Sequence, residues 1–289
     1  MGNDRREAAV GFHAGELAVQ HQAGVQATAA RLAPMVAAGE LRAGTAAFLA
    51  KATFAALTAR DRSGRLWVSP LFGAPGFLRV GSPTRLLVDT TPRAADPLRG
   101  LPGNQPIGLI VMDFATRRRL RVNGVLAAAD SGGLMIDVDQ AYGNCPQYIT
   151  PRQLHLVASS SADDRPEVFH GSNLRSEDAD LVGAADTFFL GTTHPDSGND
   201  ASHRGGPAGF VRVASGQLWW PDYPGNNMFN SFGNLFADPT AALLFTDFNS
   251  GATLQLSGTA SVRWDADSAD TGRQVVFIPH QVIAIQVPV

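Results

Sequence analysis

Residues 202–213 read Ser-His-Arg-Gly-Gly-Pro-Ala-Gly-Phe-Val-Arg-Val, and residues 69–80 read Ser-Pro-Leu-Phe-Gly-Ala-Pro-Gly-Phe-Leu-Arg-Val. Ser69, Gly73, Gly76, Phe77, Arg79 and Val80 return as Ser202, Gly206, Gly209, Phe210, Arg212 and Val213, an offset of 202 − 69 = 133. The likeness extends to both sides. Phe54-Ala-Ala-Leu-Thr58 returns as Phe188-Phe-Leu-Gly-Thr192, with 188 − 54 = 134. Leu109, Asp113, Phe114, Leu120 and Gly124 return as Leu243, Asp247, Phe248, Leu254 and Gly258, with 243 − 109 = 134. A solenoid repeat runs only about 20–50 residues, so this period marks a duplicated domain. Two copies of one fold are expected to pack as an internal pseudo-dimer, with function at the seam.

The chain of 289 residues has room for two domains of about 100–150 residues each. An apolar fraction of 44% and a charged fraction of 17% are those of a soluble globular protein. With 23 basic and 26 acidic residues the net charge is −3, so no nucleic-acid partner is expected. The Arg117-Arg118-Arg119 cluster with Arg121 reads as solvated or seam-facing charge. Cys145 is the only cysteine, which excludes a disulfide framework and favours a reducing compartment. No signal-peptide pattern is present and no apolar run approaches the ~18 residues of a membrane helix. A cytoplasmic protein without a membrane partner is the expectation.

Residues 1–47 form an Ala- and Gln-rich segment in which Ala27 to Ala38 and Thr45 to Ala50 read as helix, interrupted at Pro34, Gly39 and Gly44. A first β domain, an antiparallel sandwich or barrel, is expected over 48–141. Its seven short runs are Thr53 to Arg60, Leu66 to Ser69, Phe77 to Val80, Arg85 to Asp89, Ile107 to Phe114, Arg119 to Ala128 and Leu134 to Val138. A connector over 142–186 carries a helix with Ser176 as its N-cap. A second β domain is expected over 187–289. Its runs are Thr187 to Thr193, Phe210 to Val213, Leu218 to Trp220, Ala241 to Phe248, Ala252 to Trp264, and two near Val275 and Val282. Asn249-Ser250-Gly251 reads as a hairpin turn.

Four segments can carry chemistry. In Asp200 to Val213, small residues admit close backbone approach, and Ser202, His203 and Arg204 can donate to an anion; an ordinary exposed hairpin is the competing reading. Pro224 to Leu235 interleaves four Asn with Met and Phe, suiting a heterocycle edge or a phosphate; an Asn-rich loop before a capped helix competes. Tyr142 to Arg152 presents Asn144, Gln147, Tyr148 and Arg152, and its Cys145 reads as a buried structural thiol. In Phe12 to Gln20, His13 and Glu16 form a helix-face pair suited to docking. No metal-ligand spacing, phosphate loop, dinucleotide fingerprint or nucleophile elbow is present.

The order of these blocks resembles the pyridoxamine 5'-phosphate oxidase family of FMN-binding split barrels. The residues that carry the resemblance are the Phe-x-x-x-Thr strand, Ser-x-x-Gly-x-x-x-Gly-Phe-x-Arg-Val, the Asn234-Leu235 and Asp238-Pro239 pairs and the following Leu-Leu-Phe-x-Asp-Phe strand. Phe-His-x-Gly-Glu and Gly-Asn-Cys-Pro-Gln-Tyr-Ile are similar to a tandem-barrel branch of that family. The resemblance implies two tandem six-stranded antiparallel split barrels, mainly β, with an N-terminal helical segment. It implies a flavin-dependent oxidoreductase with FMN between the barrels, acting on a small-molecule substrate or electron donor, as a monomer or homodimer. By the family pattern Ser202, His203 and Arg204 approach the flavin, while Asn226, Asn227, Asn230 and Ser231 stand where the family places a phosphate-binding Lys or Arg. The chain has no Lys or Arg between Arg212 and Arg263, so Arg204, Arg212, or Arg93 or Arg152 of the first copy must supply the phosphate charge. Trp220 or Phe229 is the expected stacking residue. One working site on the second copy is expected. Deazaflavin or haem in the same fold, or a binding or assembly module, are the alternatives.

Overall fold

The computed structural model describes residues 11–37, 39–154, 166–267 and 270–286. Residues 1–10 and Ala38 of the expected N-terminal segment, and 155–165 of the connector, lie outside the described residues. Four short helices come first: α1 (Ala14–Gln22), α2 (Gln26–Ala30), α3 (Ala33–Val36) and α4 (Ala43–Leu49). The helix expected over 27–38 is two pieces, because Pro34 fits only the first turn of α3. The first sheet contains β1 (Phe54–Arg60), β2 (Leu66–Phe72), β3 (Leu78–Ser82), β4 (Arg85–Val88), β5 (Gln105–Asp113), β6 (Arg118–Ala129) and β7 (Leu134–Gly143). Then come β8 (Glu167–Gly171) and α5 (Ser176–Ala184). The second sheet contains β9 (Thr187–His194), β10 (Gly198–Gly205), β11 (Arg212–Ala214), β12 (Gln217–Pro221), β13 (Thr240–Thr246), β14 (Thr253–Arg263) and β15 (Gln274–Gln286), with α6 (Asn230–Ala237) before β13.

The strand orders are β2-β1-β5-β6-β7-β4-β3 and β10-β9-β13-β14-β15-β12-β11, identical term by term, with β8 added beside β15. The chain is therefore two tandem antiparallel split barrels. Each path has seven strands where the resemblance gave six, and all seven runs of the first copy form. In the second copy β10 occupies the stretch that also read as an exposed hairpin. The two terminal runs are one strand, β15, carried past a register shift at Ser257/Gly258 that leaves His280 unpaired against β14. The cap of α5 is Arg175 rather than Ser176, since the Asp178 carboxylate already accepts from the Arg175 N–H at 2.9 Å.

Register corrects the repeat. Leu57 pairs with Ser69 and Leu109, and Leu190 pairs with Ser202 and Leu243. The first strand thus repeats at 190 − 57 = 133, one less than the Phe54/Phe188 match. A one-residue slip exchanges faces. Phe188 points into the second barrel, while Phe54 joins Phe189, Val68, Ile110 and Leu244 in a separate cluster between the barrels. β1 is buried along six of its seven positions because one face meets its own barrel and the other meets the partner barrel. Each fully buried Phe or Leu there contributes about 1.5–3 kcal/mol.

The sheets approach closely at Gly108, where a Cβ would stand 2.5 Å from the Asp200 carbonyl carbon and 2.6 Å from the Ala201 nitrogen. The α1–α6 crossing is as tight: a Cβ on Gly15 would lie 2.3 Å from the Gly233 oxygen. This close crossing docks the N-terminal segment on the second barrel. No helix among the described residues is long and apolar enough to cross a membrane.

Candidate functional site

β6 and the segment after β7 of the first barrel converge with β10 and α6 of the second on one crevice. Counted out to its open mouth it holds about 910 Å³ of empty space. Strand alternation puts Arg119 and Arg121 of β6 on the crevice face and Arg118 on the other, where its guanidinium lies 5.1 Å from the Phe48 ring. β10 contributes His203 and Arg204, and Arg273 enters just before β15. The first turn of α6 lines the wall with Asn230, Ser231 and Phe232, and no side chain caps its N-terminus. Free N–H groups and the helix dipole there favour an anion. Tyr148, Asn227 and Phe229, at φ of 62°, 61° and 58°, also line it. Left-handed backbone at non-glycine residues is strain of the kind that collects at ligand sites.

The charges are unequal. Arg121 donates to both Asp200 carboxylate oxygens at 3.2 and 3.0 Å, and this pair is nearly buried. Burial works against the Arg121 charge, but Asp200 holds the guanidinium above its ordinary pKa. Arg273 donates to Asp222 at 2.8 Å, and Arg204 stands 3.7 Å from the same carboxylate. Burial lowers the Arg204 pKa against the opposing pull of Asp222. Arg119 is brought down to about 10 by burial and by the neighbouring Arg121 and Arg204. Its recorded side-chain bond goes to His203, whose Nδ1 accepts from Arg119 Nη1 at 3.0 Å. Burial and then Arg119, Arg204 and Arg152 keep His203 well below its usual pKa, so it is neutral. Four arginines against two carboxylates leave 4 − 2 = +2.

Five buried donors on this wall have no hydrogen-bond partner: the Nε of Arg119, Arg121 and Arg204, Asn144 Nδ2 and Trp220 Nε1. Each costs about 1–3 kcal/mol if left unmet.

Of the residues singled out in the sequence, His203, Arg204, Trp220, Asn226, Asn227, Asn230 and Ser231 line this crevice. Ser202 lies just behind it, accepting from Ser231 Oγ at 3.1 Å. Arg212 is exposed and stacks over Trp219 at 4.9 Å, and Arg152 pairs with Asp186 at 2.5 Å; neither lines it. Arg93 donates to the Gly251 carbonyl, outside the crevice. Trp220 packs edge-on against Phe188 in the barrel core, 4.9 Å between centroids, so its indole N–H rather than its ring face is what it offers. Gly205 and Gly206 serve chain packing: a Cβ there would strike the Tyr148 carbonyl at 1.9 Å or the Phe210 ring at 2.7 Å. Cys145 is exposed at the crevice, not buried. Sequence reading missed Arg273, Asp222 and Tyr223, and it left Arg119 and Arg121 between seam and solvent. Period-2 alternation within the arginine cluster was the available signal for these two.

The pseudo-symmetric position is filled by the chain itself. Arg119, Arg121 and Arg204 correspond there to Thr253, Gln255 and Leu71 (253 − 119 = 134, 255 − 121 = 134, 204 − 71 = 133). The Asp96 carboxylate is buried there, accepting from Ser69 Oγ at 2.5 Å, Leu98 N at 2.8 Å and Gln255 Nε2 at 3.1 Å. Burial raises its pKa to about 6. A carboxyl raised on folding from 3.8 to about 6 binds more protons folded than unfolded in that window, so its contribution to stability falls as pH rises through it. Asp96→Asn should remove that fall. In urea unfolding, the stability of the variant relative to the parent should increase from pH 4 to about pH 6.5. A difference that stays constant with pH would contradict the assignment.

Residues 174–287 match the family model of pyridoxamine 5'-phosphate oxidase. The match spans α5 and the second barrel. No curated protein matches the chain significantly. Among solved structures it is similar to a pyridoxinephosphate oxidase family protein of Clostridium acetobutylicum, at 18% identity and TM-score 0.27, covering 36% of this chain and 81% of that one. It is also similar to a FAD-binding protein of Mesorhizobium loti, at 10% identity and TM-score 0.29 over 41% and 97%. A third is HupZ of Group A Streptococcus, at 12% identity and TM-score 0.28 over 40% and 95%. At these scores the likenesses say nothing of activity.

Proposed function

We propose that the protein is an FMN-dependent oxidoreductase whose crevice between the barrels holds the flavin, with the phosphate among Arg119, Arg121 and Arg204. The observation that carries this reading is the set of five orphaned buried donors on a wall of net charge +2, beside a barrel that the pyridoxamine 5'-phosphate oxidase family model matches. A phosphomonoester brings about −1.5 to −2 charge and three acceptor oxygens, which complements that wall. Bound FMN would supply hydride or electron transfer. The chain's residues do the holding. Ser231, Asn230 and the α6 N-terminus offer hydrogen bonds, and Asn226 is fixed by Asn144 of the other barrel at 2.8 Å. Phe229 and the stacked Tyr148–Tyr223 pair, 5.1 Å apart, give the wall flat apolar faces. Neutral His203 orients Arg119 by accepting its N–H and is not an acid at neutral pH.

Heat release followed by mass spectrometry identifies the bound molecule. Reconstitution should give one FMN per chain, because Asp96 fills the counterpart position, and FMN should bind at least roughly tenfold more tightly than riboflavin, since charged hydrogen bonds to the phosphate contribute about 1.5–3 kcal/mol each. Two equivalents per chain, or equal affinities, would overturn the placement. Recovery of a deazaflavin or haem would overturn FMN as the cofactor.

A further inference from the structure

Glu16 lies on α1, outside the crevice, and is 4% exposed. Its carboxylate accepts from its own helix at the His13 N–H (2.8 Å) and from Asn230 Nδ2 across the α1–α6 crossing. The other end of the Asn230 amide faces Arg121, whose Nη1 donates to Asn230 Oδ1 at 3.5 Å and to Asp200. Asn230 and Arg121 both form crevice wall. A single side chain therefore separates the Glu16 carboxyl from the cationic lining. We infer that Glu16 is a positioning residue of the crevice, which ties anion affinity to the uptake of a proton on α1. This rests on the anion-binding reading of the crevice.

The surroundings of Glu16 decide the direction. On its own helix His13 is held neutral: burial and then His194 of β9 bring it to about 4, against a hydrogen bond to Asn234 of α6. Tyr142 of β7 is pushed up by burial and stays neutral. Asp200 of β10 and Arg121 of β6 are paired with each other. Burial raises Glu16 to about 7, assisted by Asp200 and opposed by the His13 N–H, Asn230 and Arg121. Protonated, Glu16 leaves the +2 wall intact. Ionised, it places a further negative charge behind Arg121 and lowers the wall's pull on an anion. Anion binding must then, by linkage, favour the protonated carboxyl.

Sulfate is the probe, because it does not titrate between pH 5.5 and pH 8.5 whereas phosphate does. Calorimetry on the full chain should show sulfate affinity falling roughly five- to tenfold from pH 6 to pH 8, within the usual range for coupled sites. Titrations in buffers of different ionisation enthalpy should show fractional proton uptake centred near pH 7. His203, held well below its ordinary range, would take up protons only in acid. Glu16→Gln should retain sulfate binding with the uptake near pH 7 abolished and the affinity flat with pH. Binding without proton uptake in the parent protein, a measurement that needs no variant, would overturn the inference and leave the crevice assignment standing. Unchanged uptake in Glu16→Gln would do the same. No sulfate binding at any pH would overturn both.

Discussion

Arg119→Ala should weaken a phosphate-bearing ligand by roughly 10- to 100-fold, the worth of a charged hydrogen bond, and leave the unfolding temperature unchanged or slightly raised. The reason is the company Arg119 keeps. Burial and the nearby Arg121 and Arg204 work against its charge, its recorded side-chain bond goes to a neutral histidine, and its Nε has no partner. Truncation relieves like-charge crowding and removes an orphaned donor, which offsets the N–H that His203 Nδ1 loses. Arg121→Ala should behave differently. It loses ligand affinity too, but it leaves Asp200 buried at 4% side-chain exposure without its cation, a change that costs about 3–5 kcal/mol. Ligand titrations and thermal unfolding on both variants separate the two cases. Equal destabilisation by both, or full ligand affinity in Arg119→Ala, would contradict the charge assignment.

Gly108→Val should cost about 3 kcal/mol or more and abolish ligand binding together with stability. The clash is with backbone, the Asp200–Ala201 peptide at 2.5 and 2.6 Å, so no rotamer change relieves it and the barrels must separate. Asp200 anchors Arg121, and Asn123 beside Gly108 also donates to Asp200 at 3.3 Å, so the displacement reaches the crevice. Gly183→Ala is the control. Gly183 sits in α5 with nothing within 4 Å of its missing Cβ, so alanine there should stabilise by about 0.5–1 kcal/mol. Parent-like unfolding of Gly108→Val would mean that the barrels do not meet as described.

The contrast between these residues shows what could be read in advance. The duplication, the β class and the second-copy segments around Arg204 and Asn227 are legible because strand alternation, turn residues and a repeat are local properties, whereas the split barrel itself followed from the family resemblance. Arg119 and Arg121 are local features too, but solvent and seam are equally good places for arginines on an alternating strand. Only a second sheet stacked on that face decides between them. Arg212 shows the reverse. It repeats Arg79 and sits in the matched block, yet β11 lies at the sheet edge and turns it outward over Trp219. The one-residue error in aligning Phe54 with Phe188 arose because several aromatic and small residues in a row match at either offset, and only cross-strand pairing fixes the face.

By itself the sequence determined that two like β domains follow a helical segment, since hydrophobic period and turn chemistry act within a few residues of chain. The tertiary structure decided that the two equivalent seam positions differ. That outcome depends on charge brought together from residues 119, 121, 204 and 273, and on Asp96 filling the other position. Coulomb and desolvation energies follow distance in space, and no local pattern encodes a distance between barrels.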